Sequence, residues 1–133
     1  MHIVVLGTGM IGTTVVSELA NFTDIDLITA VDVRQESIDK CLEISNSHKV
    51  VGKVASLETK EDIAEVLKDA DVAVACLPHS LSLVAIKAAI ESKCHLVDLV
   101  GSMLKEKIEL HEAAMDAGVI IVPGCGVAPG ITN

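Results

Sequence analysis

Apolar residues along this chain come in short unbroken runs rather than at every second position. Six such runs, residues 2–7, 26–32, 49–55, 71–77, 94–100 and 118–124, are rich in Val, Ile, Leu and Ala. Between them lie segments of helical length at 10–21, 34–47, 59–69, 80–92 and 103–117. Strands that are apolar throughout, each followed by a helix, predict a parallel sheet whose strands are buried on both faces. Right-handed crossovers then wind the chain into one α/β domain over residues 1–133, a doubly wound six-stranded sheet with helices on both faces.

The helix boundaries carry recognisable punctuation. Thr59 before "KED" predicts an N-cap with acidic residues in the first turn, and Ser80 after Pro78 and His79 is expected to cap the next helix. Gly118 after "HEAAMDA" suits the left-handed residue that ends a helix. Over 103–117, Met103, Leu104, Ile108, Ala114 and Met115 fall on one predicted core face, with Lys105, Glu106, Glu109 and Glu112 mostly opposite.

Composition narrows the class. Half of the 133 residues are hydrophobic, yet Phe22 is the only aromatic, so the core is aliphatic. The apolar runs are too short to span a bilayer, and the start "MHIVVLG" lacks the basic segment of a secretory signal, which predicts a soluble cytoplasmic protein. A formal charge of −9 without clustered Lys and Arg argues against nucleic-acid and anionic-membrane partners. Cys41, Cys76, Cys94 and Cys125 stand far apart with no CxxC, so neither a metal site nor a redox dithiol is expected; small buried thiols are.

One motif adds chemistry. "VVLGTGMIGTTVV" places Gly7, Gly9 and Gly12 where the first strand turns into the first helix, and Asp32 follows twenty residues after Gly12 at the end of the second strand. In this context the three glycines have separate tasks. Gly7 permits the turn, Gly9 lets a pyrophosphate approach the backbone, and Gly12 lets helix and strand pack closely. The loop from Gly7 and Thr8 to Met10 and Ile11 would then aim N–H groups at an anion. Asp32, flanked by Val33 and Arg34, would accept the ribose hydroxyls of NAD. A 2′-phosphate beside that carboxylate would be repelled by on the order of a few kcal/mol at an effective dielectric of about 20, which favours NAD over NADP. Arg34 bears on the same choice, since its guanidinium could stack on adenine or meet a 2′-phosphate.

Ligands of such sheets cross the carboxyl ends of the strands where the strand order reverses, here between the first and fourth strands. The loop "CLPHS" therefore faces the same crevice, with Cys76, Leu77 and Pro78 expected to wall the nicotinamide ribose and His79 either capping its helix or standing near the reacting carbon. "DLVGS" brings Asp98 and Gly101 to that edge, Asp98 to satisfy local backbone.

Together "VVLGTGMIG", "AVDV", "CLPH", "HLVDLVGS" and above all "AGVIIVPGCGVAPGITN" resemble the amino-terminal domain of the saccharopine dehydrogenase-like enzymes, most closely their lysine 6-dehydrogenase branch. The resemblance spans the chain. It implies a Rossmann domain of an NAD(P)-dependent oxidoreductase that acts on an amino acid by hydride transfer through an imine, with a homo-oligomeric whole enzyme. It further implies that these residues are a cofactor-binding piece whose substrate domain lies elsewhere. Ala55 and Ser56 stand where relatives place an Asp for the adenine amino group, so Ser56 is the candidate there. His79 occupies the loop position of a tyrosine in related reductases and is the candidate catalytic residue. Cys125, Val127 and Pro129 lie in the tail near the nicotinamide, with Cys125 expected to be buried. Two rivals share the glycine motif: a nucleotide-sensing regulatory domain of a channel or transporter, and another amino-acid-pathway enzyme such as a dihydrodipicolinate reductase.

Overall fold

A computed structural model of the protein describes residues 1–126 and 130–131. Six parallel strands, β1 (His2–Leu6), β2 (Leu27–Asp32), β3 (Val50–Val54), β4 (Val72–Ala75), β5 (His95–Asp98) and β6 (Ile121–Pro123), form one sheet in the order β3-β2-β1-β4-β5-β6. Helices α1 (Met10–Leu19), α2 (Gln35–Ser45), α3 (Lys60–Val66), α4 (Ser82–Glu91), α5 (Leu104–Ile108) and α6 (His111–Ala117) connect them, with a 3-10 turn at His79–Leu81 before α4. The order reverses between β1 and β4, which pair directly from Ile3↔Val72 to Leu6↔Ala75. This is the doubly wound arrangement that strand and helix alternation predicts.

Successive residues of a strand point to opposite faces, and β1 shows how one run feeds two cores. Ile3 and Val5 join Val16, Ile28, Ala30 and Cys41 beneath α1 and α2. Val4 and Leu6 join Ile63, Leu67, Ile86, Ala89 and Leu96 beneath α3 and α4. Burial on both faces therefore holds at the centre of the sheet and fails at its margins. After Val50, β3 is exposed, and Gly52 is there because a Cβ would lie 2.2 Å from Ile38 Cγ2 of α2.

Helix ends follow the sequence at some positions and depart from it at others. Thr59 Oγ1 accepts the N–H of Asp62, and Gly118 ends α6 at φ 71°. Ser80 caps nothing: it lies inside the 3-10 turn, and no side chain caps α4. The segment 103–117 is two short helices rather than one, hinged at Glu109 and Leu110. Its buried residues are Lys107 and Ala114, while Leu104, Ile108 and Met115 of the expected core face are exposed. Lys107 is inside because its ammonium reaches the internal carboxylate of Asp98, while Leu104, Ile108 and Met115 border an apolar cavity that is open to solvent.

The turn from β1 into α1 is packed backbone against backbone. A Cβ on Gly12 would stand 1.8 Å from the Gly7 carbonyl oxygen. Gly12→Ala is therefore expected to lower stability by about 1–3 kcal/mol or more, as overpacking against backbone does. A shift of the urea midpoint in that range checks it, and an unchanged midpoint would refute the contact.

Candidate functional site

Each of the three glycines is free of a side chain for a different reason. Gly7 adopts φ +88°, and a Cβ there would also meet the Cys76 carbonyl oxygen at 2.6 Å. Gly12 is dictated by the contact with Gly7. Gly9 has no reason inside the protein, since a Cβ would meet nothing within 4 Å. Open space at Gly9 lies directly before α1, a ten-residue helix with no side-chain cap and no acidic residue in its first turn. Free N–H groups of an uncapped helix start form an anion site.

Hydrogen bonds fix the loop from below. Asp32 Oδ2 accepts the Thr8 N–H at 2.8 Å and the Thr8 hydroxyl at 3.2 Å. Thr13 Oγ1 donates to the Thr8 carbonyl at 3.0 Å. Asp32 Oδ1 accepts the Arg34 N–H at 3.0 Å, and the Arg34 Nε stands 3.9 Å away with that side chain 70% exposed. The Asp32 carboxylate is thus turned inward and held, with Oδ1 the oxygen that retains accepting capacity. A cavity of about 480 Å³ opens beside it, lined by Thr8, Gly9, Met10, Thr13 and Thr14 on one side and by Arg34, Glu36, Ser37 and Lys40 on the other. Met10, Ile11 and Val33 are exposed around this rim.

On the β4 side of the reversal, the Cys76 N–H donates to Leu6 O at 2.9 Å. Cys76 and Leu77 are half-buried, whereas Pro78 and His79 are exposed at the carboxyl edge of the sheet. Burial pushes the Cys76 thiol up to about 12, helped by the negative charge of Asp98. Gly101 is exposed on the next loop. Ser56 follows β3, but its hydroxyl donates to Asp62 Oδ2 at 2.7 Å, which ties it to α3. Cys125 is exposed rather than buried, two residues beyond the three-residue edge strand β6. Val127 and Pro129 lie outside the described residues.

A cluster at the end of β5 is not visible from spacing. Asp98 Oδ2 accepts the Ser82 hydroxyl at 2.6 Å and the Lys107 ammonium at 2.8 Å, and Oδ1 accepts the Val100 N–H at 3.1 Å. Lys107 also donates to the Val100 carbonyl. Asp98 is indeed a backbone acceptor, and it is also half of a buried ion pair. No local pattern marks Lys107, whose partner is a strand away. A separate apolar cavity of about 400 Å³ lies against α5, α6 and β6, away from the glycine loop. Among the described residues, no three His, Cys, Asp or Glu side chains gather as a metal site.

Comparison with known proteins gives a consistent picture. The model of the saccharopine dehydrogenase NADP binding domain matches residues 3–122. Mitochondrial alpha-aminoadipic semialdehyde synthase of Rattus norvegicus is 24% identical, over 98% of this chain and 14% of its own length. The chain therefore spans about a seventh of that curated relative. Among solved structures, apo saccharopine dehydrogenase (L-Glu forming) from Saccharomyces cerevisiae superposes with a TM-score of 0.80 at 24% identity, over 98% of this chain and 28% of its own. Pen from Bacillus thuringiensis gives 0.73 at 13% identity, over 92% and 48%. These structural likenesses show a shared fold.

The thiols provide a solution test of the site's packing. Burial raises the Cys41 thiol, carries Cys94 to about 11 and Cys76 to about 12, all from an ordinary value of 9.0. Raised values keep these thiols protonated in the folded chain while the unfolded chain ionises above pH 9. Stability should then fall as pH rises from about 9 towards 12, because the folded state binds more protons there. At pH 8 a disulfide reagent should label Cys125 alone until denaturant is added, and rapid labelling of Cys76 in the folded chain would contradict its placement.

Proposed function

The chain belongs to the family of saccharopine dehydrogenase NADP-binding domains, and on that premise we propose that it is the dinucleotide-binding domain of an oxidoreductase acting on an amino acid. The observation that carries this reading is Gly9, where the protein leaves room for a ligand's pyrophosphate beside the uncapped start of α1. Bound there, a nicotinamide dinucleotide supplies a hydride donor or acceptor. The chain's own residues position it. N–H groups at Met10 and Ile11 would hold the pyrophosphate, and Asp32 Oδ1 would accept a ribose hydroxyl. Cys76, Leu77 and Pro78 would wall the nicotinamide ribose, the protonated thiol contributing shape without charge, with Gly101 on the facing loop. His79, exposed on the same edge, is the titratable group available to exchange a proton with a substrate. Ser56 would border the adenine. The residues that enclose a substrate, and with them turnover, belong to the whole protein, as the lengths of the relatives suggest.

Choice between NAD and NADP rests on the adenosine end. A preference for NAD assumes that Asp32 repels a 2′-phosphate, yet that carboxylate is turned towards Thr8 and offset by Arg34, and Lys40 lines the same cavity. The family description names NADP. We infer that both forms are accepted, NAD through Asp32 and NADP through Arg34 and Lys40.

Fluorescence titration with NADH and NADPH tests both statements. Gly9→Val should abolish binding while the thermal midpoint holds, since its side chain projects into open space, and Cys125→Ala should leave binding intact. Equal loss in the two variants would refute the site. Arg34→Ala should weaken NADPH about tenfold, in keeping with a charge-assisted hydrogen bond of about 1.5–3 kcal/mol, and NADH far less.

A further inference from the structure

Asp98 is the point at which three loops of the crevice meet. Its carboxylate holds Ser82, which opens α4 after the "CLPHS" loop. It also holds the Val100 N–H in the loop that carries Gly101, and its own carbonyl accepts the Cys125 N–H beyond β6 at 3.0 Å. Asp98 and Ser82 are fully buried, and Lys107 is 7% exposed.

A buried carboxylate with only hydroxyl and amide donors would be disfavoured as an anion; a buried, hydrogen-bonded cation beside it offsets part of that cost. Lys107 does more than neutralise. Its ammonium also binds the Val100 carbonyl, so both peptide groups of Val100 are fixed, the N–H by Asp98 and the C=O by Lys107. Further along, Met103 adopts the left-handed region at φ 55° and its carbonyl accepts the Lys107 N–H at 3.0 Å, which closes the loop on α5. Gly101 and Ser102 are left exposed between these anchors. A lysine is inside here, while its neighbours Leu104 and Ile108 border the apolar cavity at 56% and 62% exposure. Charge compensation alone would not require the bond to Val100.

We propose that Lys107 is a positioning residue: clamped between Asp98 and the Val100 carbonyl, it sets the 99–103 loop that receives the nicotinamide end of the dinucleotide. This rests on the crevice reading above and assigns control of its nicotinamide end to a residue that does not line it. The adenosine end, held by Asp32 and Arg34, is independent of the clamp.

Two ligands separate the ends, NADH and ADP-ribose, the latter lacking nicotinamide. Lys107→Met by itself strands a buried carboxylate and is expected to unfold the chain. The deciding variant is therefore Asp98→Asn combined with Lys107→Met, which removes both charges while the substituted side-chain amide keeps an oxygen to accept the Val100 N–H. The double variant should fold, bind ADP-ribose as the native chain does, and bind NADH about three- to tenfold more weakly, the loss of one hydrogen bond. Faster amide exchange at Val100 and Gly101, read without ligand, should accompany it. Equal weakening of both ligands, or NADH affinity and exchange like those of the native chain, would overturn the clamp alone. Failure of the native chain to bind ADP-ribose would overturn the crevice reading and the proposal with it. Failure of the double variant to fold would also overturn the proposal, by making the pair a requirement of the core.

Discussion

The approach of α1 to β1 is the constraint on which the rest of the structure depends. With the Gly12 position lying so close to the Gly7 carbonyl that a Cβ would overlap it at 1.8 Å, no other residue lets the helix begin where it does. That start lies over the reversal between β1 and β4, and the loop beneath is bonded at Thr8 from two directions, by Asp32 and by Thr13. The loop's shape is thus set by the protein itself, and the amides of α1's first turn are left for something else. Preorganisation of this kind spares a ligand the cost of ordering its own site.

The two halves of the sheet solve the same problem with different endings. Asp32 closes β2 and Asp98 closes β5, each one strand outward from the central pair β1 and β4. Each carboxylate accepts the backbone N–H two residues on, Arg34 in one half and Val100 in the other. Each also accepts from the connection that follows the neighbouring inner strand, Thr8 after β1 and Ser82 after β4. The difference is the cation. Arg34 stands outside Asp32 at 3.9 Å and leaves Oδ1 approachable, whereas Lys107 seals Asp98 from within at 2.8 Å. One half leaves a carboxylate oxygen approachable, and the other encloses its carboxylate among bonds to neighbouring loops.

Much of this is legible in the sequence, and the part that is not has one physical cause. Strand runs, helix lengths, the Thr59 cap, the Gly118 stop and the roles of Gly7 and Gly12 are local properties, carried by residues adjacent in the chain. Asp32 can be placed because one helix and one strand, α1 and β2, separate it from the glycine turn. Lys107 is an exception to the expected burial pattern over 103–117, where Ala114 is buried and Lys105, Glu106, Glu109 and Glu112 are exposed as expected, since an apolar stripe does not foresee a polar group with a buried partner. That partner lies on β5, nine residues earlier, and spacing does not reveal it. Ser80, the expected cap, is likewise displaced by a 3-10 turn, and the serine that is held is Ser82, bonded to Asp98. Cys125 departs from the burial usual for a free thiol, lying just past the edge strand of the sheet.

Net charge, finally, is a poor guide to what this crevice can hold. The chain carries −9, yet the interaction that matters acts over a few ångströms, within a Debye length of about 8 Å at physiological salt. Over that range the first turn of α1 has no acidic side chain, Asp32 is met by two N–H groups and the Thr8 hydroxyl, and Asp98 is paired with an ammonium. The two carboxylates nearest the reversal are thus both held by donors of the protein itself. Acidic residues elsewhere lie largely in solvent, as along α6 and the starts of α2 and α3, where water and salt screen them. An anion meets directed N–H groups, with Arg34 and Lys40 facing it beside the single carboxylate of Glu36, which is how an acidic domain can offer a phosphate site.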